Sequence, residues 1–331
     1  MSLGLPDEIV ERFLHSLSAL IGEEAACSAT LAVAVSGGPD SLALLLLAAA
    51  ALPGRVIAAT IDHRLRSESA SEAAHVAGIC RALGVPHETL ALNWSAPPAN
   101  RQAAARTERY AQLSQWAFER EVVSLATAHH RDDQTETVLM RLHRGAGVDG
   151  LGGIRSVRHL AARDDRQLSL VRPLLEWSKA ELGDVVGQCG LTAVDDPSNH
   201  DPAHDRTGVR ALLNASPDWP DRQRVAASAR HLQEAGAALD WVTTDLLRSR
   251  VVADGEARLL DVGDLPAELV RRVSLCLIGE LSGAGPGAVR GDELARLIGA
   301  LRSGRVATLA GVVVRPGRSG WRFEQAPPRR G

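Results

Sequence analysis

The 331-residue chain has a single lysine, Lys179, against 36 arginines, and that scarcity removes a set of mechanisms. A Walker A loop needs a lysine between glycine and Ser or Thr. Lys179 lies instead in Trp177-Ser178-Lys179-Ala180, so phosphate handling by such a loop is excluded, as is catalysis by a lysine anywhere else. Aromatic residues make up 3% of the chain, with Tyr110 the only tyrosine, too few for an aromatic sheet that stacks RNA bases. The four cysteines, Cys27, Cys80, Cys189 and Cys276, form no Cys-x-x-Cys pair, which rules out a zinc ribbon, a local redox pair and grouped cluster ligands. The longest apolar run, Leu42 to Leu52, falls short of the roughly 18 residues that suggest a membrane span and reads as a buried helix. No basic start followed by an apolar stretch and a cleavage site opens the chain, so a cytoplasmic location and no membrane partner are expected.

What is present, 45% apolar and 23% charged residues, suits a globular protein long enough for two cores. The net charge of −3 hides an asymmetry: residues 1–200 are acidic on balance and residues 201–331 basic. Residues 301–331 hold seven arginines against one acid, Glu324, a balance suited to a polyanion.

Short β-branched runs alternate with helical stretches through the first two hundred residues, the pattern of a doubly wound, mostly parallel α/β sheet. Strands are expected at Leu31–Val35, Val56–Ile61, His87–Leu92 and Val122–Thr127, with helices near Asp40–Leu52, Ser69–Leu83, Gln102–Arg120 and Asp132–Arg144. In such sheets ligands bind beyond the carboxyl ends of the strands, which points to Ser36–Ser41, Asp62-His63 and Ala128–Asp133. A turn-rich stretch from Asp195 to Asp205 and a break near Ser216–Pro220 divide the chain into a catalytic domain, residues 1–216, and a linker helix with a smaller, mostly helical basic domain, residues 217–331. There, helices are expected near Asp221–Arg250, Pro266–Leu281 and Arg290–Leu301, and short strands around Val306, Val312–Val314 and Trp321–Phe323.

The most informative segment is Leu31-Ala-Val-Ala-Val35 running into Ser36-Gly37-Gly38-Pro39-Asp40-Ser41 and then the apolar helix. A strand that turns through two glycines into a helix N-terminus aims backbone N–H groups and the positive end of the helix dipole at an anion. Pro39 suits the first helical turn and the serines add hydroxyl donors. Asp40 would repel a phosphate unless a divalent cation lay between them, and magnesium, which favours carboxylate and phosphate oxygens, is the expected ion. A second cluster, Ala128-His129-His130-Arg131-Asp132-Asp133-Gln134-Thr135-Glu136-Thr137, runs from a strand end into a helix and brings carboxylates toward Asp40. Asp132 or Asp133 is placed either to cap that helix or to hold the metal with Asp40. Arg106, Arg109 and Tyr110 fall at i, i+3 and i+4, so two guanidiniums and a phenol share a helix face able to clamp phosphate and stack a base. Gly145-x-Gly-x-x-Gly150 spells a dinucleotide fingerprint but follows a helix, so a Rossmann site is rejected.

The Ser-Gly-Gly-x-Asp-Ser loop resembles that of the N-type ATP pyrophosphatases, the PP-loop superfamily with its adenine nucleotide α-hydrolase-like fold. The stretch from Ala128 through Arg144-Gly145-Ala-Gly147-Val-Asp-Gly150-Leu151 resembles the signature of the tRNA(Ile)-lysidine synthases. Asp62-His63-Arg64-Leu65-Arg66, Ala105–Tyr110, Arg172-Pro173-Leu174-Leu175 and Asp196-Pro197-Ser198-Asn199 agree with the same family, so that the likeness covers residues 30–210 in order. One departure is Arg206-Thr207-Gly208-Val209-Arg210, where the family usually carries Arg-Asn in place of Arg206-Thr207.

The resemblance implies an ATP-dependent ligase that joins L-lysine to C2 of the wobble cytidine of tRNA(Ile) with a CAU anticodon, through an adenylated tRNA, releasing AMP and pyrophosphate. It implies ATP binding by Ser36, Gly37, Gly38, Pro39, Asp40 and Ser41 with Asp62 and His63. Magnesium falls to Asp40 with Asp132 or Asp133, and catalysis to Asp40, Asp133, Arg106 and His130. RNA or substrate contacts fall to Arg109, Tyr110, Arg206 and Arg210. The oligomeric state stays open between monomer and homodimer. Two rivals remain: another PP-loop tRNA-modifying enzyme such as a 2-thiolation enzyme, which the ungrouped cysteines oppose, and a non-catalytic nucleotide- or RNA-binding adaptor.

Overall fold

The computed structural model describes residues 3–62, 69–92, 101–191, 205–216, 219–283 and 289–327. His63, the Arg64–Arg66 segment and the Asp196–Asn199 loop lie outside the described residues.

The chain divides into two compact units, Met1–Gln233 and Glu234–Gly331. The first opens with two helices, α1 (Asp7–Ile21) and α2 (Glu23–Ser28), followed by β1 (Leu31–Ala34), α3 (Pro39–Ala51), β2 (Val56–Asp62), α4 (Ser69–Leu83) and β3 (His87–Ala91). Then come α5 (Arg101–Glu119), β4 (Ser124–Ala126), α6 (Arg131–His143), α7 (Val148–Leu151), the hairpin β5 (Val157–Arg163) and β6 (Arg166–Val171), α8 (Lys179–Gln188), α9 (Asp205–Ala215) and the start of α10 (Arg222–Ser249).

The six strands form one sheet in the order β3-β2-β1-β4-β6-β5, parallel except for the edge strand β5. From β1 the chain winds outward to β2 and β3 and then returns to β1's other side with β4. That reversal leaves a crevice between β1 and β4 at the carboxyl end of the sheet, the place where doubly wound folds bind ligands. The register Ala32↔Leu125 and Val33↔Ala126 sets the loops after the two strands side by side.

The apolar run becomes α3, in which Ser41 through Ala48 are all buried because the helix packs against β1, β2, α1 and α8. A helix apolar all round needs cover on every side, which these elements supply. The opposite face of the sheet is covered by α5 through Tyr110, Leu113, Trp116 and Ala117 against Ala32, Leu125 and Leu170.

Two features escape the periodicity argument. The β5–β6 hairpin turns on Asp164-Asp165, both at positive φ (50° and 62°), the backbone of a two-residue hairpin turn written without glycine. In the second unit, the expected short strands join β7 (Val251–Asp254) and β8 (Ala257–Leu260) in a five-stranded antiparallel sheet, β7-β8-β11-β10-β9, with β9 (Ala307–Leu309), β10 (Val312–Gly317) and β11 (Gly320–Gln325). Helices α11 (Ala267–Ser282) and α12 (Gly291–Arg302) pack Val273, Leu277, Leu294 and Leu297 with Val312, Val314 and Phe323. Much of the unit's positive charge is answered locally: Arg315 and Arg322 both meet Glu324, and Arg322 also meets Asp254.

Candidate active site

The loop after β1 is drawn tight by Ser41. Its hydroxyl accepts from the Ser36 N–H at 3.1 Å and donates to the Gly38 carbonyl at 2.9 Å, with the Ser36 hydroxyl 3.1 Å away. Gly37 sits at φ +88°, a left-handed conformation that a side chain would strain. Gly38 caps α3 in extended conformation and Pro39 occupies the first turn, as the sequence predicts. Asp62 ends β2, the strand next to β1.

Asp40, in the first turn of α3, meets His130 across the crevice: Asp40 Oδ2 lies 3.4 Å from His130 Nε2. Asp133 Oδ2 lies 3.6 Å from the same nitrogen, and Asp132 Oδ2 3.7 Å from Nδ1. Three carboxylates therefore surround one imidazole that is only 3% exposed. Burial disfavours its protonated form, but the Asp40 contact and the negative charges of Asp133, Asp40 and Asp132 outweigh it and hold the His130 pKa above its ordinary value. Asp133 moves the other way: burial would raise it, yet His130 and Arg206 keep it below the usual carboxylate range.

The carboxylates have different standing. Asp132 is committed, since its Oδ2 accepts the Lys179 N–H at 3.0 Å, a first-turn donor of α8, while Oδ1 pairs with Arg222 at 2.9 Å. Asp133 reaches back to the His130 N–H at 3.2 Å, half of a capping box, and its Oδ1 faces Arg206 at 3.3 Å. Asp40 Oδ1 is buried and accepts no hydrogen bond among the described residues. A buried anionic oxygen without a donor is costly unless something else meets it, so Asp40 fits a cation ligand. Among the described residues no group of three or more His, Cys, Asp or Glu is arranged to hold a metal by itself. Magnesium takes one or two protein carboxylates and fills its sphere with water and phosphate oxygens.

Glu136, by sequence one more carboxylate converging toward Asp40, is taken up by arginines instead. Its side chain is nearly buried on α6 and is gripped by two arginines one turn apart on α9: Arg206 Nε donates to Oε2 at 2.7 Å and Arg210 Nε to Oε1 at 2.6 Å. The two arginines expected to touch substrate thus already hold Glu136 and approach Asp133 at 3.3 and 3.8 Å. Their i, i+4 spacing was the available signal.

His129, next along the chain from His130, faces a different field. Burial pushes its pKa down to about 4, with the positive charges of Arg172, Arg106 and Arg206 adding to the effect against the pull of Asp133. Its Nδ1 lies 3.1 Å from the Thr127 hydroxyl. In the metal-free protein these neighbours are expected to titrate on opposite sides of 6.5, His130 above and His129 near 4, as read from imidazole nitrogen shifts in an NMR pH series. Two overlapping curves near 6.5 would contradict the placement of the charges. The sign for stability follows: His130 stabilises the fold below pH 6.5 and loses that contribution as pH rises through its raised pKa, whereas His129 costs stability as pH falls from 6.5 toward 4.

Tyr110 is buried, with the Arg106 guanidinium 5.3 Å and that of Arg158 5.2 Å from its ring centroid. The exposed part of this helix face is therefore guanidinium, including Arg109, and the phenol forms its floor.

The glycine-rich stretch after α6 braces that helix. Gln134 accepts the Ile154 N–H at 2.6 Å and donates to the Ile154 carbonyl at 3.3 Å, while Arg141 donates to the Gly150 and Gly153 carbonyls at 2.8 and 2.7 Å. Gly153 has φ +66°, and a Cβ there would fall 2.6 Å from Gln134 Oε1. Gly153→Ala is expected to destabilise the fold by about 2 kcal/mol in urea titration through backbone strain and the displaced Gln134 bonds. An unchanged midpoint would show that the loop bears no load.

A doubly wound sheet, a Ser-Gly-Gly-Pro-Asp-Ser loop at its switch point and acidic residues facing it define a nucleotide-handling α/β protein of the PP-loop class. Residues 9–216 match the family described as PP-loop domain. The chain is 45% identical over 304 residues to the tRNA(Ile)-lysidine synthase of Zymomonas mobilis, covering 92% of this chain and 90% of that one. It is 42% identical over 303 residues to that of Novosphingobium aromaticivorans, covering 92% and 91%. This chain belongs to the tRNA(Ile)-lysidine synthase family of PP-loop proteins. Among solved structures, the U34-tRNA thiolase NcsA of Methanococcus maripaludis shares the fold at TM-score 0.55 and 16% identity, covering 68% of this chain and 79% of that one. No helix among the described residues is long and apolar enough to cross a membrane.

Proposed function

We propose that this chain is an ATP-dependent ligase acting on tRNA(Ile), joining L-lysine to C2 of the wobble cytidine in a CAU anticodon. One observation supports the chemistry above others: the anion-cradling loop, the unsatisfied Asp40 oxygen and the Asp133 carboxylate meet around His130 at the β1/β4 crevice. Membership of the lysidine synthase family supports the choice of RNA and of amino acid.

ATP is the nucleotide of this reading. The C2 oxygen of cytidine attacks the α-phosphorus, the bond from that phosphorus to the bridging oxygen breaks, and pyrophosphate leaves. The N–H groups of the Ser36–Ser41 loop and the start of α3 hold the departing pyrophosphate, where negative charge grows as the bond lengthens. Asp40 and Asp133 would hold Mg2+, which offsets the charge shared by carboxylates and phosphates. The lysine ε-amine then attacks C2, the C2–O bond breaks, AMP leaves, and the amine gives up a proton. Of the two neighbouring histidines, His130 faces Asp40 across the crevice and is placed by position to receive that proton. Lysine also carries an α-ammonium and an α-carboxylate. The Glu136, Asp133, Arg206 and Arg210 network offers both charges beside Asp40, and the reading places the amino acid there.

The testing assay is ATP-dependent incorporation of labelled lysine into a tRNA(Ile) transcript bearing CAU, with the methionine tRNA as control. Lysine in the first and not the second is expected. Absence of incorporation by folded, ATP-binding protein would overturn the reading, and transfer of sulfur would replace it with thiolation.

A further inference from the structure

Many arginines of the first unit already have protein partners. Arg206, Arg210 and Arg222 face carboxylates within the site, Arg12, Arg120 and Arg131 face carboxylates outside it, and Arg55 and Arg141 donate to backbone carbonyls. A groove of about 700 Å³ between α5 and β5 is different: Arg106, Arg158 and Arg163 line it together with Tyr110 and Phe118, and among the described residues no carboxylate does. Among the described residues Arg163 pairs with its exposed chain neighbour Asp164, at 3.6 Å. Beneath the groove the buried Arg172 donates to the Arg155 carbonyl and lies beside the Tyr110 hydroxyl, adding a further positive charge. Such a concentration of like charge is unfavourable unless an anion completes it.

The geometry of β5 shows that the groove is built. Residues 158 and 163 are five apart, which on a regular strand would put them on opposite faces. The register of the β5–β6 pair shifts between His159 and Ala161, and the extra residue returns Arg163 to the side of Arg158. Their partners Leu170 and Arg166 are four apart on β6, so by strand rise their backbones lie roughly 13 Å apart, a span no single phosphate bridges. At its inner end the groove nears the reaction centre: Arg172, beside Tyr110, follows Val171, whose carbonyl accepts the Thr127 N–H at 3.0 Å two residues before His129. The edge strand therefore carries a row of charges that leads away from the site.

We propose that the α5/β5 groove, through Arg106, Arg158 and Arg163, seats the phosphodiester backbone of the RNA whose base enters the β1/β4 crevice. This deepens the functional reading above and rests on it for the identity of the RNA. The charge complementarity, the length of the row and its approach to His129 favour a nucleic-acid strand over a free anion.

The test uses the full chain and a fluorescent tRNA(Ile) transcript, with dissociation constants measured across a salt series. Arg158→Gln/Arg163→Gln removes two phosphate contacts. It is expected to reduce the slope of log affinity against log salt by about 1 to 2 and to weaken binding at about 0.1 M salt roughly tenfold or more. ATP affinity and thermal midpoint are expected to stay at wild-type values. Arg81→Gln, on α4 at the other face of the sheet, is expected to change neither tRNA affinity nor slope. Unchanged affinity and slope in the double variant overturn the proposal, as does a loss confined to ATP binding, which would make the groove a nucleotide subsite. Lysine incorporation is measured in parallel. Wild type that binds tRNA without incorporating lysine would overturn the ligase reading while the slopes still decide the groove, and wild type that binds no RNA overturns both.

Discussion

Asp40→Asn is expected to slow adenylation of the tRNA by about a thousandfold or more, equivalent to about 4 kcal/mol of transition-state stabilisation, while tRNA affinity stays within about twofold. The asparagine keeps the shape of the first turn of α3 but removes a full negative charge. Asp40 Oδ1 accepts no hydrogen bond among the described residues, so the substitution breaks no described contact at that atom. The effect is thus expected in the chemical step, with the thermal midpoint little changed. His130 would report the same change independently, because one of its three carboxylates disappears and its raised pKa should fall toward the ordinary value. Wild-type adenylation by a folded Asp40→Asn protein would remove Asp40 from the mechanism.

Arg206→Ala/Arg210→Ala is expected to be the most damaging change to stability, at about 3 kcal/mol, because it strands the nearly buried Glu136 without its two donors. Both arginines are about a third exposed, which places the cost below that of a fully interior ion pair. Removing one arginine leaves Glu136 half satisfied, so the single variants should each cost well under half of the double. A double-mutant cycle in urea measures that coupling. Additive single effects would show that the arginines act separately and that the network is ordinary surface pairing. Arg206→Lys/Arg210→Lys should restore charge but not the directed Nε contacts, and recover only part of the loss.

The elements that positioned the site could be read from the chain because each carried a strong local signal. The α3 run, the Ser36–Ser41 turn and the helix after His130 are written in consecutive residues, and the observed α3 and α6 begin within a residue of expectation. The β5–β6 hairpin was hidden because Arg-, His- and Ala-rich strands lack β-branched periodicity and its turn uses Asp164-Asp165 where glycine would have given the turn away. The convergence of Asp40 with Asp133 could be argued from strand ends. That Glu136 belongs to Arg206 and Arg210, and Asp132 to Arg222 and the backbone of Lys179, could not, since those partners meet only through tertiary packing. The solitary lysine contributes its main-chain N–H to Asp132 and leaves its ammonium exposed.

The adjacency of β1 and β4 also governs when the site comes into being. In the chain the two strands are separated by α3, β2, α4, β3 and α5, so on the ribosome the phosphate loop emerges well before its facing histidine and acids. Pairing Ala32 with Leu125 closes a long loop, an entropic cost met only after the outer strands and helices have been made. Docking of a three-residue strand then brings His130, Asp132 and Asp133 to the phosphate loop, and the arginines of α9 can join them only later still.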